Sequence, residues 1–304
     1  MKKQFFLTVI VMPFLLLFSC NKKEVFSPNK YIETESFQSG SSSEIVKRFV
    51  YSENNQLSSV WLKNENGDAT LTFEYNKDKT IKKIISSENN GKNYAVLSYE
   101  NKLITQVQYY ENDKLAQESV FSRKEKKNTI NKIENYVYDG FSAKKKSVLA
   151  DLLFADMKIM PESVRKNHKS GGKSLYSVLN ITYENDNIFR VRLSYIVDSE
   201  VELFAIITYE YDNMKNPYYG LPYPLAELTG YSKNNVTSVM IPIENDPYKT
   251  LIIVENNYSY EKKYPVYKSV VESETYITGY DTLKNPIWNT TYQRSSYNYS
   301  YKNQ

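Results

Sequence analysis

Histidine occurs once in these 304 residues, as His168 in RKNHKSGGKS (165–174), and cysteine occurs once, as Cys20. A Ser–His–Asp relay needs its imidazole beside an activated serine. The GGKSLYS run after His168 has none of the tight strand–Ser–helix turn that exposes such a nucleophile. His168 is therefore expected in a solvated basic loop. One histidine and one cysteine cannot build a transition-metal centre. Aspartate and glutamate total 35. The acidic stretches YNKDKT, YENDK and YENDN have turn composition and none repeats a calcium-binding loop. A Gly-rich phosphate cradle is also missing. A carboxylate pair for glycoside hydrolysis assembles only in the fold, so a carboxylate-dependent hydrolase stays as the weakest reading. No catalytic residue, no cofactor and no metal site is expected.

Tyrosine is the residue that could do something else. There are 29 of them, with 13 Phe. Tyr209/Tyr211, Tyr258/Tyr260 and Tyr297/Tyr299/Tyr301 recur at a period of two, which sets their rings on one face of a strand. Such ladders pack a sheet through cross-strand ring pairs, or offer flat, preorganised surfaces on which a sugar ring stacks.

The chain opens MKKQFFLTVIVMPFLLLFSC. Lys2 and Lys3 form a positive start, and Phe5 to Phe18 is nearly all apolar. That run is signal-peptide length and short of the roughly 20 residues of a spanning helix. Leu17-Phe18-Ser19-Cys20 resembles the lipobox of bacterial lipoproteins. The resemblance implies cleavage before Cys20 and acylation of that residue. Each buried methylene contributes about 0.8 kcal/mol and one chain holds only marginally, so several chains on one residue anchor without a span. Asn21-Lys22-Lys23-Glu24 partly matches the export signal of surface lipoproteins in Bacteroidota, and a solvated linker start reads equally well. The lone cysteine leaves no intramolecular disulfide to form. Formal charge is +4 with Lys and Glu interspersed, which argues against a nucleic-acid surface.

These residues require β-structure to position them. LTFEYNKDKTIKKI (71–84), VLSYENKLITQVQYYENDKLAQES (96–119) and RFVYSENNQLSSVWL (48–62) alternate apolar and polar residues across Asn/Asp-rich turns, the β-hairpin pattern. Tyr51, Tyr75 and Tyr99 recur every 24 residues. Val60, Ile84 and Val107 follow at similar spacing. A unit of two strands cannot cover its own apolar face and stacks on the next. SAKKKSVLADLLFADMKIMP (142–161) instead carries Val148, Leu149, Leu152, Leu153 and Met157 along a helical stripe, with Ser142 to cap it and Pro161 to end it. Lys144, Lys145 and Lys146 oppose the dipole of a first turn, so order is expected from Ser147.

The expected organisation is a signal peptide (1–19), a lipidated cysteine and flexible linker (20–43) and one β-repeat domain (44–304) with a helical insertion near 143–160. The fold class is mainly β, an antiparallel up-and-down meander forming a curved sheet or half-barrel.

ITYEYDNMKNPYYGL, NNYSYEKKYPVYKSVV and YNYSYK resemble Bacteroidota exported lipoproteins of unknown function with YD-like, RHS-like repeats. Tyr209, Tyr211, Asp212, Asn216, Pro217 and Tyr218 carry the match, then Tyr258, Tyr260, Tyr264 and Pro265. The resemblance implies a meandering sheet in an exported lipoprotein and assigns no activity. Asp281-Thr282-Leu283 fits the acceptor pattern for O-glycosylation of exported proteins in that phylum, with Thr282 as acceptor, and an ordinary turn reads equally well.

Function then reads as a lipid-anchored, non-enzymatic β-scaffold of the envelope. It would be held to the outer membrane through acylated Cys20, facing periplasm or cell surface, with another envelope protein as partner and no nucleic acid. The alternative is a glycan-binding surface lipoprotein of a polysaccharide-uptake system. Cys20→Ser is expected to move the chain from the membrane pellet to the soluble fraction and to abolish labelling by a palmitate analogue. Retention of the variant through a carbonate wash would show that another segment holds it.

Overall fold

The computed structural model describes residues 30–63, 67–124, 129–138, 147–154, 172–219, 221 and 231–302. Cys20, His168, Ser142, Met157 and Pro161 lie outside them.

Sixteen antiparallel strands close into one barrel. The first nine are β1 (Ile32–Ser39), β2 (Ser42–Tyr51), β3 (Leu57–Leu62), β4 (Ala69–Tyr75), β5 (Ile81–Ser86), β6 (Tyr94–Glu100), β7 (Leu103–Glu111), β8 (Lys114–Arg123) and β9 (Ile130–Val137). After a short helix, α1 (Val148–Leu153), come β10 (Ser174–Glu184), β11 (Asn187–Val197), β12 (Glu200–Lys215), β13 (Asn234–Pro242), β14 (Leu251–Glu261), β15 (Tyr264–Tyr280) and β16 (Pro286–Tyr301). Each strand pairs with its sequence neighbours. β1 also pairs with β16, from Ile32 opposite Tyr301 to Phe37 opposite Tyr297.

The mainly antiparallel meander agrees with the sequence. The expected open sheet or half-barrel is corrected to a closed barrel, because a strand from the expected linker supplies the last edge. Residues 32–39, inside the 20–43 stretch, form β1.

Five of the hairpin turns are two-residue connections with both residues at positive φ. They are Asn101–Lys102, Asn112–Asp113, Asn185–Asp186, Asp198–Ser199 and Lys262–Lys263. This is the twist-compatible hairpin turn that Asn and Asp tolerate best after glycine. YENDK and YENDN are thus hairpin turns, as their composition predicts.

The 24-residue repeat has a geometric cause. An even-numbered strand ends in a large polar-tipped residue, with a β-bulge just before it, opposite an apolar residue that opens the next strand. Tyr51 faces Leu57, Tyr75 faces Ile81, Tyr99 faces Ile104, Arg123 faces Ile130 and Tyr183 faces Ile188. All five apolar partners are fully buried. The tip then reaches back to the preceding odd strand. Tyr51 Oη donates to the Ile32 carbonyl at 2.7 Å, Tyr75 Oη to the Leu57 carbonyl at 2.7 Å and Arg123 Nη2 to the Ile104 carbonyl at 3.0 Å. Each bulge strengthens the local twist, which turns a flat meander toward closure.

Cross-strand partners share a face, so the register fixes what points inward. Phe49, Val60, Leu71, Ile84, Ala95, Val107, Ile133, Leu179, Leu193 and Ala205 form one buried cluster on the inner side. α1 fills part of that interior. Leu149 is fully buried, Val148, Leu153 and Phe154 nearly so, and Leu152 is half-buried. The Phe154 ring meets Tyr109 at 6.4 Å. Glu88, in the β5–β6 connection, accepts from Ser147 Oγ at 2.9 Å and from the Val148 N–H at 3.1 Å. The described helix is six residues long and begins after Ser147, where the sequence places it. Ser147 and Phe154, inside the expected 143–160 helix, have non-helical backbones, which corrects that span; its remaining positions lie outside the described residues.

The outer face carries many polar side chains, with Val50, Phe189 and Met240 exposed among them. Thr70, Thr72 and Glu74 alternate outward on β4, Lys132 and Glu134 on β9, and Arg190 and Arg192 on β11. Tyr94 and Tyr110 stack at 4.8 Å, and Lys83 lies 3.8 Å over Tyr94.

Removing the Tyr75 hydroxyl leaves the Leu57 carbonyl short of its partner. Tyr75→Phe is expected to cost about 1 kcal/mol, read as a fall of about 2–4 °C in melting temperature for a barrel of this size.

Candidate functional site

The strands from β13 to β2, across the β16–β1 seam, build a different interior from the rest. Polar and aromatic side chains join valines at the inward positions here: Glu35 on β1, Lys47 on β2, Asn256 and Tyr258 on β14, Lys268 and Glu272 on β15, Gln293, Tyr297 and Tyr299 on β16, beside Val239, Val254 and Val270. They enclose a hollow of about 510 Å³. The chain after β12 turns into it. Asn216 is buried; its Nδ2 donates to the Ser232 carbonyl at 3.0 Å, and its Oδ1 accepts from the Tyr218 N–H at 2.9 Å. That side-chain turn aims Tyr218 across the lumen, where its ring meets Tyr299 edge-on at 6.4 Å. The Asn-Pro-aromatic turn is visible in the sequence; its inward direction is not.

At the centre sits Glu35, 7 % exposed. Lys47 Nζ lies 3.0 Å from its carboxylate, and Tyr218 Oη donates to it. Burial works to raise the Glu35 carboxyl. Lys47, the Tyr218 hydroxyl and the more distant Lys268 outweigh it and hold the group below the usual carboxylate range. The same burial, with the Glu35 charge beside it, pushes the Tyr218 and Tyr299 phenols far up. An anchored carboxylate and two neutral phenols do not form an acid–base pair poised near neutrality. They make a fixed polar wall. The buried Asn256 lines the same hollow. Its Nδ2 donates to the Val236 carbonyl at 3.1 Å, while its Oδ1 has no hydrogen-bond partner.

The seven ladder tyrosines divide into distinct groups. Tyr258, Tyr297 and Tyr299 line the hollow. Tyr258 Oη donates to the Val236 carbonyl at 3.0 Å, and Tyr301 Oη to the Pro265 carbonyl at 2.6 Å. Tyr260 donates to Asp212. Tyr209 and Tyr211 line a second open hollow with Phe189 and Asp212, near the β10–β11 turn. There burial pushes the Tyr211 phenol up to about 12, with the Ser232 hydroxyl acting the other way. The ladders therefore combine packing and carbonyl capping with hollow lining: three of the seven rings line the hollow beside Glu35 and two line the second one. Thr282 sits in an exposed turn at the tip of the β15–β16 hairpin. There Asp281 accepts from the Leu283 and Asn285 N–H groups at 2.8 Å each. Sequence reasoning missed Glu35, Lys47, Asn256 and Lys268. A buried Glu–Lys pair on adjacent strands carries no local signal.

Among the described residues, no group of three or more His, Cys, Asp or Glu could hold a metal ion. No family model matches the chain, and no curated protein does. Among solved structures, it is similar in shape to a porin-like protein from Bacteroides uniformis ATCC 8492, with a TM-score of 0.49 and 12 % identity, over 92 % of this chain and 100 % of that one.

Because the folded Glu35 carboxyl titrates below its usual value of 4.5, its contribution to stability is complete above that value. It is lost as pH falls through the lower folded value. Glu35→Gln is therefore expected to flatten the acid limb of the stability–pH curve below about pH 4.5 and leave the curve near neutrality parallel to the wild type. Lys47→Met removes the cation from a buried carboxylate and is expected to cost about 3 kcal/mol at pH 7. Urea titrations at pH 3, 4, 5 and 7 check both.

Proposed function

We propose that this chain is a non-enzymatic binding barrel of the cell envelope that stands in water, held to the outer membrane by lipid on Cys20 rather than by its strands. The observation that carries the reading is the polarity of its two faces. A transmembrane barrel turns an apolar band about 25 Å tall outward and keeps polar groups in the lumen. Here Val60, Leu71, Ile84 and Val107 point in, while Glu74, Arg190 and Arg192 point out and are exposed. Arg or Lys on a lipid face costs about 2–4 kcal/mol at the bilayer midplane, and this barrel places such groups on several neighbouring strands. The anchor rests on the Leu17–Cys20 motif. The family reading, an exported lipoprotein with YD-like hairpin repeats, rests on the tyrosine-ended strands and their 24-residue period.

A second reading has its own observation. The hollow beside Glu35 combines Tyr258, Tyr297 and Tyr299 with Asn256, Lys268 and Gln293. Flat rings ringed by amides and charges suit a hydroxyl-rich ligand such as a glycan, with the rings stacking and the free Asn256 Oδ1 accepting from a hydroxyl.

The test is behaviour in water. The Cys20→Ser chain is expected to stay monodisperse in detergent-free buffer and to give no conductance steps in a planar bilayer. Precipitation on detergent removal, or stepwise currents, would overturn the water-facing reading. For the second reading, a glycan array probed with wild type and Tyr297→Ala is expected to show binding that the variant loses. A blank array with a well-folded wild type would count against glycan and leave the envelope scaffold.

A further inference from the structure

The β15–β16 hairpin extends past the barrel rim, and one of its edges has no neighbour among the described residues. β16 pairs with β15 from Pro286 to Asn298. On its other side β1 covers it only from Tyr297 onward. Pro286 through Arg294 are exposed at every position. Large exposed hydrophobics gather on this hairpin: Tyr280 at 62 %, Leu283 at 80 %, Ile287 at 49 %, Trp288 at 51 % and Tyr292 at 69 %.

The orientation of the free edge follows from its last residues. The Lys302 N–H donates to the Tyr31 carbonyl at 3.0 Å, so even-numbered residues of this strand present N–H and C=O toward the β1 side. The pairing runs without a break in β16, since the one bulge sits at Thr278 of the partner strand. Trp288, Thr290 and Tyr292 therefore hold unpaired N–H and C=O groups along the open edge, with their side chains on the barrel's outer face. Natural edges are blunted with Lys, Pro or bulges. From Ile287 to Gln293 this one has no charged residue, no proline and no bulge.

We propose that this edge pairs with the same edge of a second copy of the chain, forming a twofold dimer through a continuous intermolecular sheet. The segment is self-complementary. An antiparallel register centred on Thr290 sets Trp288 of each copy opposite Tyr292 of the other, and Thr290 opposite itself. These are hydrogen-bonding positions, and the aromatic pairs fall on one face, the arrangement that stabilises cross-strand pairing. On the opposite face Asn289 meets Thr291 and Ile287 meets Gln293. No charge faces a like charge. Pro286, which has no N–H to give, falls at the end of the ladder opposite Arg294. A twofold axis satisfies both copies at once and leaves no open edge to propagate.

Sedimentation velocity on the detergent-free Cys20→Ser chain, over a concentration series, reads the result. A dimer is expected, and Thr290→Lys, which sets two like charges face to face at the axis, should weaken self-association at least tenfold. Its melting temperature should stay within a degree or two, since Thr290 is exposed. A second variant fixes the register: Thr290→Cys should give a disulfide-linked dimer under mild oxidation, while Glu274→Cys on β15 should not. A wild type that stays monomeric at all concentrations, or a Thr290→Lys dimer as tight as the wild type, would overturn the proposal. Capture of a strand from a different protein with no self-association would overturn it too.

Discussion

The seam between β1 and β16 is the contact on which the barrel depends. Every other pairing joins strands adjacent in sequence, so each forms from local chain. The seam alone brings together residues more than 250 positions apart, such as Thr34 and Ser300, whose hydroxyls meet at 2.6 Å. Without it the sheet would keep its turns and bulges but expose two long edges and one wall of its core. Loop closure over that separation is costly but grows only with the logarithm of length. Once the hairpins exist they shorten the effective gap, because each bulge adds twist in the same sense.

The seam also carries a buried charge, as β8 does at Glu118. Glu35 faces inward at the closing strand, and Lys47 and Tyr218 come from elsewhere to meet it. Taking a carboxylate out of water costs several kcal/mol unless it is paired and hydrogen-bonded. This position therefore makes β1 specific, since a shifted register would part Glu35 from Lys47. The polar hollow and the closure of the barrel are consequences of one arrangement. The polar wall exists because the seam carries a carboxylate that needs polar partners.

How much of this was legible in the sequence depends on range. The hairpins, the Asn/Asp turns, the periodic Tyr51/Tyr75/Tyr99 and the start of α1 at Ser147 all follow from spacing within about 25 residues. The closing strand was hidden because its inward residues are Glu35 and Phe37, so its alternation does not read as apolar against polar. β15 conceals its facing for the same reason, with Lys268 and Glu272 turned toward the hollow. The hollow was illegible because its walls come from six strands and a turn, and Tyr218 reads as surface punctuation until Asn216 is seen aiming it inside.

One consequence concerns direction in space. Lys302 and Tyr31 are hydrogen-bonded neighbours, so the two ends of the described chain leave the barrel side by side. The tip of the β15–β16 hairpin lies at the opposite end of β16, sixteen residues away. At about 3.3 Å per residue that is roughly 50 Å. Any tether entering ahead of Lys30 thus pulls on one pole of the molecule, while Tyr280, Leu283 and Trp288 occupy the other. The exposed apolar side chains of the hairpin are thus carried as far from both described chain ends as the length of β16 permits.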